Sequence, residues 1–186
     1  MEFQLFWLRR PLILFLTLSF ISNIAYSQET KAGLEKLLKE GSEDTSTVIA
    51  LNKLYWHERK VNPEKGKAYL DQAYSLSLQL GYDKGEGITL KNYGDYYATA
   101  GEYDLALIKA VEAKVIFSEL NLLQDVSKCY NLMGVIETRK GQYKKALEYY
   151  LESAELNLQN KDSAGVAVTY LNIGGINYQL QQFDKA

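Results

Sequence analysis

One cysteine, one histidine and two prolines are all that 186 residues contain, and each scarcity narrows the chain's chemistry. Cys129 alone can form no internal disulfide. His57 has no second histidine and no nearby cysteine with which to share a metal. The glycines Gly85, Gly87 and Gly174–Gly175 follow no strand and lead to no Gly-Lys-Ser/Thr, so they make no phosphate loop. No nucleophile elbow, H-E-x-x-H pair or kinase signature occurs, and the carboxylates scatter over helix exteriors. The segment therefore reads as non-enzymatic, with no catalytic residue, metal or cofactor. Charge of one sign is also lacking. The net charge is −2 and the signs are interspersed. Lys144–Lys145 and Arg59–Lys60 are short pairs on solvated helix faces, so nothing here suits nucleic acid. Disorder is excluded from the other side, by 47% hydrophobic against 24% charged residues.

What is present is a period. Gly66, Ala106, Ala146 and Ala186 recur every 40 positions, and Pro63, Tyr103, Tyr143 and Phe183 stand three places before them. Gly94, Gly134 and Gly174 keep the same step, as do Gly101 and Gly141. A fixed period of this length marks a repeat array. Within one copy, Tyr130, Met133, Gly134 and Glu137 fall at i, i+3, i+4 and i+7 and share a helical face. Gly141 suits the left-handed position that ends that helix. A second helix starts near Tyr143, with Ala146, Tyr150 and Ser153 on its inner face. The unit is a helical hairpin whose helices cross closely at small residues. Copy two has Leu90, Tyr93, Gly94 and Tyr97, then Ala106, Ala110 and Ala113; copy four has Tyr170, Ile173, Gly174 and Asn177, then Phe183 and Ala186. Copy one is looser: Leu51, Leu54 and Tyr55 fit a step of 39, while Pro63, Gly66, Leu70 and Ala73 hold 40. Pro63 suits a first helical position. Most of the 15 tyrosines are read as packing residues, and Cys129 as a buried one.

The pattern large–x–x–apolar–Gly–x–x–Tyr, followed by Gly–x–Tyr–x–x–Ala–x–x–x–Tyr, resembles the tetratricopeptide repeat. The usual repeat has about 34 residues; this one resembles the longer-helix variants that bind peptides. Glu137 and Asn177 replace the usual aromatic, and Gln181 replaces the turn glycine. The resemblance implies an all-α tetratricopeptide-repeat superhelix of stacked helical hairpins. Its expected units are 45–82, 85–122, 125–161 and an incomplete 163–186, with Gly81 to Gly87 and Asn160 to Ser163 as turn-rich links. On that scheme, Phe183 to Ala186 is the first turn of the fourth unit's second helix.

The N-terminus differs. Arg9 and Arg10 precede an apolar run from Leu12 to Ile21, and Ala25-Tyr26-Ser27 follows. A basic segment, a short apolar stretch and small residues two apart make an export signal, residues 1–27, with Gln28 first after cleavage. The run is short for a membrane span. An uncleaved anchor is the alternative, because Phe3 to Leu8 adds apolar surface; with no cysteine nearby, a lipoprotein is not. Residues 28–44 are an amphipathic helix carrying Leu34, Leu37 and Leu38, ended by Gly41, and a polar link that supplies the next helix cap. The helix is expected to cap the first repeat.

In stacked hairpins the first helices line the concave side. Asn92 and Asn172 stand two residues before their repeat glycines, and Asn131 three before Gly134. Resemblance to peptide-binding members implies that such an asparagine points into the groove and bonds an extended backbone; an amide both donates and accepts. The other reading is an asparagine bonded to a neighbouring helix. Lys91, Asp95, Lys128 and Arg139 complete the expected groove set. Leu132 and Asp95 occupy two places of the basic–Asn clamp for C-terminal carboxylates, so that ligand is not expected. The opening, an amphipathic helix, the Asp44-Thr45 link, Leu51-Asn52-x-Leu54 and then Asn62-Pro63-Glu64-Lys65, also resembles bacterial signalling proteins in which an extracytoplasmic array precedes a membrane helix and a cytoplasmic kinase, cyclase or DNA-binding output. The expected partner is thus a protein or peptide, with membrane contact only through the export signal or a downstream span. A stand-alone exported adaptor or assembly factor is the alternative.

Overall fold

The computed structural model describes residues 30–183; the expected export signal and Ala186 lie outside them. Two units are distinct, one ending at Glu43 and one beginning at Asp44. In the first, α1 (Lys31–Lys39) starts at Thr30, whose hydroxyl accepts from the Gly33 N–H. Leu34 is buried, Leu37 and Leu38 are half-buried, and Gly41 follows the helix at a φ of +74°.

The second unit holds seven helices: α2 (Thr45–Glu58), α3 (Pro63–Leu80), α4 (Asp83–Ala100), α5 (Tyr103–Glu119), α6 (Leu123–Arg139), α7 (Tyr143–Gln159) and α8 (Ser163–Phe183). Local chemistry sets their ends. The Asp44 carboxylate accepts from the N–H groups of Ser46 and Thr47, and Asn62 caps α3 ahead of Pro63. Gly101 and Gly141 take positive φ inside hairpins. Between hairpins, Gly81, Asn121 and Lys161 do the same at the 40-residue step.

Within this second unit each helix packs on its sequence neighbours. The first helices of consecutive hairpins, α2, α4, α6 and α8, also touch one another, whereas α3, α5 and α7 do not. Adjacent first helices and splayed second helices give the stack curvature, with the first helices on its inner side. Within the third hairpin Gly134 permits the close crossing. A Cβ there would lie 2.6 Å from the Tyr150 ring. Counting interfaces between consecutive hairpins from the N-terminal side, at the second, between α4–α5 and α6–α7, Phe117, wholly buried, packs with Leu90, Ala113, Val126 and Cys129. Burial of such a ring contributes about 1.5–3 kcal/mol. Glu137, at the expected aromatic position, is also buried, and Lys145 answers its charge at 3.0 Å.

Two expectations need correction. The turn expected over Gly81 to Gly87 is confined to Gly81 and Tyr82: α4 begins at Asp83, and Gly85 and Gly87 are helical. They are small because of packing, since a Cβ on Gly87 would meet the Phe117 ring at 2.8 Å. The second correction concerns the fourth unit. Helix α8 runs through Gln181 to Phe183 without the turn expected there. A glutamine does not favour the left-handed conformation that Gly101 and Gly141 adopt, so nothing stops the helix. Among the described residues, no helix is long and apolar enough to cross a membrane. No His, Cys, Asp and Glu cluster there suits a metal ion.

Candidate functional site

The seven expected groove residues lie on α4, α6 and α8, and the structure divides them by interface. At the first, Lys91, Asn92 and Asp95 are engaged with α2. Asn92 is buried; its Nδ2 donates to Asn52 Oδ1 at 2.8 Å and its Oδ1 accepts from Lys91 Nζ at 2.9 Å. The expectation that Asn92 projects free into the groove is therefore corrected: its amide joins two helices. Burial pulls the Lys91 ammonium below its ordinary range, and Nζ sits 5.3 Å over the Trp56 ring. Asp95 accepts from Tyr55 Oη at 2.6 Å and from Arg59 Nη1 at 2.9 Å. Burial, then the bond to Asp95, pushes the Tyr55 phenol above its usual range. These are structural ties, made at the repeat step itself, since Asn52 and Asn92 are one period apart.

Arg139 stands at the second interface. Its Nη1 donates to the Ala98 carbonyl at 2.7 Å. That carbonyl lies in the last turn of α4, where a cation is favoured. Arg139 thus also joins repeats.

The third interface is different. Lys128, Asn131 and Asn172 meet there beside a cavity of about 400 Å³ between α6, α7 and α8. Lys128 forms an ion pair with Asp125 at 3.0 Å. Asn131 Nδ2 reaches Thr169 Oγ1 at 3.4 Å, and Asn172 Nδ2 reaches Asn131 Oδ1 at 3.5 Å. The matching bonds at the first interface are shorter: Asn52 Nδ2 lies 2.9 Å from Thr89 Oγ1, and Asn92 Nδ2 2.8 Å from Asn52 Oδ1. The cause is a displacement of one residue. Leu132 stands at the 40-residue step from Asn92, and Asn131 sits one place earlier, rotated about 100° around the helix.

The cavity floor was not among the expected residues. It is made by Ser127, Ser153, Asn157 and Thr169, all buried. Ser127 Oγ donates to Asn157 Oδ1 at 2.6 Å, Ser153 Oγ to the Ser127 carbonyl at 2.9 Å, and Thr169 Oγ1 to the Gly165 carbonyl at 2.9 Å. The sequence did carry a signal for them. One period earlier the same places hold Gly87, Ala113, Phe117 and Cys129. An apolar seam at the second interface becomes a polar one at the third, and the Phe117 ring gives way to the smaller Asn157. That exchange opens the cavity. Its rim carries Asp162, which accepts from Gln124 Nε2 and from the Gly165 N–H, both at 2.9 Å. Those bonds, Gln124 first, hold the Asp162 carboxyl below its usual range.

Comparison with known proteins gives the same picture. No curated protein matches the chain. Among solved structures, it is similar to the crystal structure of BtubC (BKLC) from P. vanneervenii, with a TM-score of 0.65 and 21% identity over 88% of this chain and 67% of that one. At that identity the likeness establishes the fold, an all-α superhelix of sequential hairpins. Residues 125–186, which hold most of α6, all of α7 and α8 as described, and most of the cavity lining, match the tetratricopeptide repeat family.

Proposed function

We propose that this chain is a protein- or peptide-binding scaffold, and that it forms the exported sensory part of a longer bacterial signalling protein. Its output would be a histidine kinase, a nucleotide cyclase or a DNA-binding regulator. The binding half rests on one observation above the others: the inner helices α6 and α8 border a cavity with polar floor residues where the neighbouring interface is closed by Phe117. A cavity of about 400 Å³ falls within the range of ligand sites, about 300–1,000 Å³. The sequence after residue 124 matches a family whose arrays commonly serve as binding surfaces. The exported half rests on the basic, apolar and small-residue sequence of residues 1–27.

Binding is tested with a peptide array probed by the full chain and by a Lys128→Ala, Asn131→Ala, Asn172→Ala variant. A subset of peptides should bind the parent and lose the variant, at equal helicity by circular dichroism. No binding, or identical binding by both, would overturn the scaffold reading. Export is tested by sequencing the mature N-terminus, expected at Gln28. The signalling half is tested by reading the gene beyond codon 186. A hydrophobic span followed by an output module supports it; a stop after further repeats refutes it in favour of a stand-alone adaptor.

A further inference from the structure

We propose that the cavity at the third interface is a subsite for a neutral carboxamide, the side chain of an asparagine or glutamine in a bound polypeptide. This deepens the scaffold reading and rests on it. The argument is one of donors and acceptors. The hydroxyls of Ser153 and Thr169 lie 3.3 Å from each other, and each has a nearer acceptor for its proton in a backbone carbonyl at 2.9 Å, the one of Ser127 and the other of Gly165. Their remaining lone pairs can only accept. The donors beside them are Asn157 Nδ2 and Asn131 Nδ2. Asn157 Nδ2 lies 3.3 Å from Thr169 Oγ1 and 3.5 Å from Ser153 Oγ. Asn131 Nδ2 lies 3.4 Å from Thr169 Oγ1. These contacts are longer than the usual 2.9–3.0 Å or so, unlike the 2.9 Å counterpart at the first interface.

The cavity thus presents amide donors and hydroxyl acceptors together, held in loose mutual bonds. A carboxamide matches both at once, its oxygen accepting from the two Nδ2 groups and its NH₂ donating to the two hydroxyls. A carboxylate only accepts and would face the hydroxyl lone pairs; an ammonium only donates and would face the Nδ2 protons. Charge finds no uncommitted counter-charge at the rim. Lys128 is paired with Asp125, and Asp162 is held by Gln124 and Gly165. An aliphatic side chain would return no hydrogen bond to these donors and acceptors.

The test uses the full chain and ¹⁵N-resolved NMR titration with N-acetyl-glutamine methylamide. The comparison probes are the glutamate, lysine, methionine and alanine derivatives. The alanine probe carries the main-chain amides alone and separates them from the side chain as the source of binding. The glutamine probe should move the amide signals of Ser127, Ser153, Asn157 and Thr169, and the others should not. The double variant Ser153→Ala, Asn157→Phe, which copies the second interface, should lose the response. If that variant fails to fold, Asn157→Asp replaces the amide donor with an acceptor of the same shape. It should weaken the glutamine probe about tenfold, the size of a lost hydrogen bond. Equal response to the methionine or alanine probe, no response to glutamine, or full response in a folded variant overturns the proposal. If array peptides still bind while the glutamine probe does not, the subsite falls and the scaffold reading stands.

Discussion

Gly134 and Gly174 occupy the same repeat position, yet a methyl group added to each should change stability in opposite directions. At Gly134 an alanine Cβ would lie 2.6, 2.7 and 2.9 Å from three ring atoms of Tyr150. Tyr150 is only 2% exposed, and its hydroxyl lies 3.3 Å from Thr138 Oγ1. The ring cannot swing into solvent, so α6 and α7 must move apart. Overpacking of this kind costs about 1–3 kcal/mol. The change also gains helix propensity, up to about 1 kcal/mol for Gly→Ala. Three contacts under 3.0 Å to a buried ring put the cost in the upper part of that range, about 2–3 kcal/mol, so the net expectation is a loss of about 1–2 kcal/mol. Among the described residues, nothing outside α8's own backbone lies within 4 Å of a Cβ added at Gly174, so in a protein of residues 1–186 the propensity gain stands alone, about 0.5–1 kcal/mol.

For a chain of this size each kcal/mol moves the melting temperature by about 2–4 °C. Gly134→Ala should therefore melt about 2–8 °C below the parent, and Gly174→Ala slightly above it. Stacked repeats need not unfold as one unit. The melts are thus followed by circular dichroism and by tyrosine fluorescence together. If Gly134→Ala matches or exceeds the parent, the glycine is not there to admit the Tyr150 ring, and the close-crossing account of the period is wrong.

Three further outcomes are expected. Lys161 holds a φ of +56° where Gly81 stands two periods earlier, so Lys161→Gly should stabilise by about 0.5–1 kcal/mol, while Lys161→Ala should not; a lower melting temperature for the glycine variant refutes this. The Cys129 thiol is buried and pushed up to about 12, chiefly by desolvation, so a disulfide reagent at neutral pH should label it only after denaturation; fast labelling of the native chain would contradict its burial. Asp162 has a depressed carboxyl pKa, so its ionised form stabilises the fold above the unfolded value of about 3.9 and that contribution is lost as pH falls through the folded value. Asp162→Asn keeps a capping acceptor, and its melting temperature should converge on the parent's in acid; a gap that persists below that window refutes the assignment.

The parts of this fold legible in the sequence are those that depend on backbone spacing. Gly94, Gly134, Gly101 and Gly141 declare themselves because a close crossing or a left-handed turn admits few residues, and the same few recur each period. Gly85 and Gly87 deceived for the same reason: glycine serves a turn and a packed helix equally, and only the distant Phe117 and Val48 side chains decide between them. The polar floor was harder. Ser127, Ser153, Asn157 and Thr169 are each unremarkable in their own helix, where small or amide side chains occur for many reasons. Their meaning appears only when three helices from two hairpins converge, and when the third interface is set against the second. Asn92 and Asn131 make the same point from the other side. Both carry the residue type that a groove contact needs, but side-chain type does not fix orientation. A partner one period away, Asn52, draws Asn92 into the interface, and a shift of one residue leaves Asn131 half-open. In a chain built by repetition, shared architecture is written in what recurs. A site that differs between one junction and the next must be sought in what fails to recur.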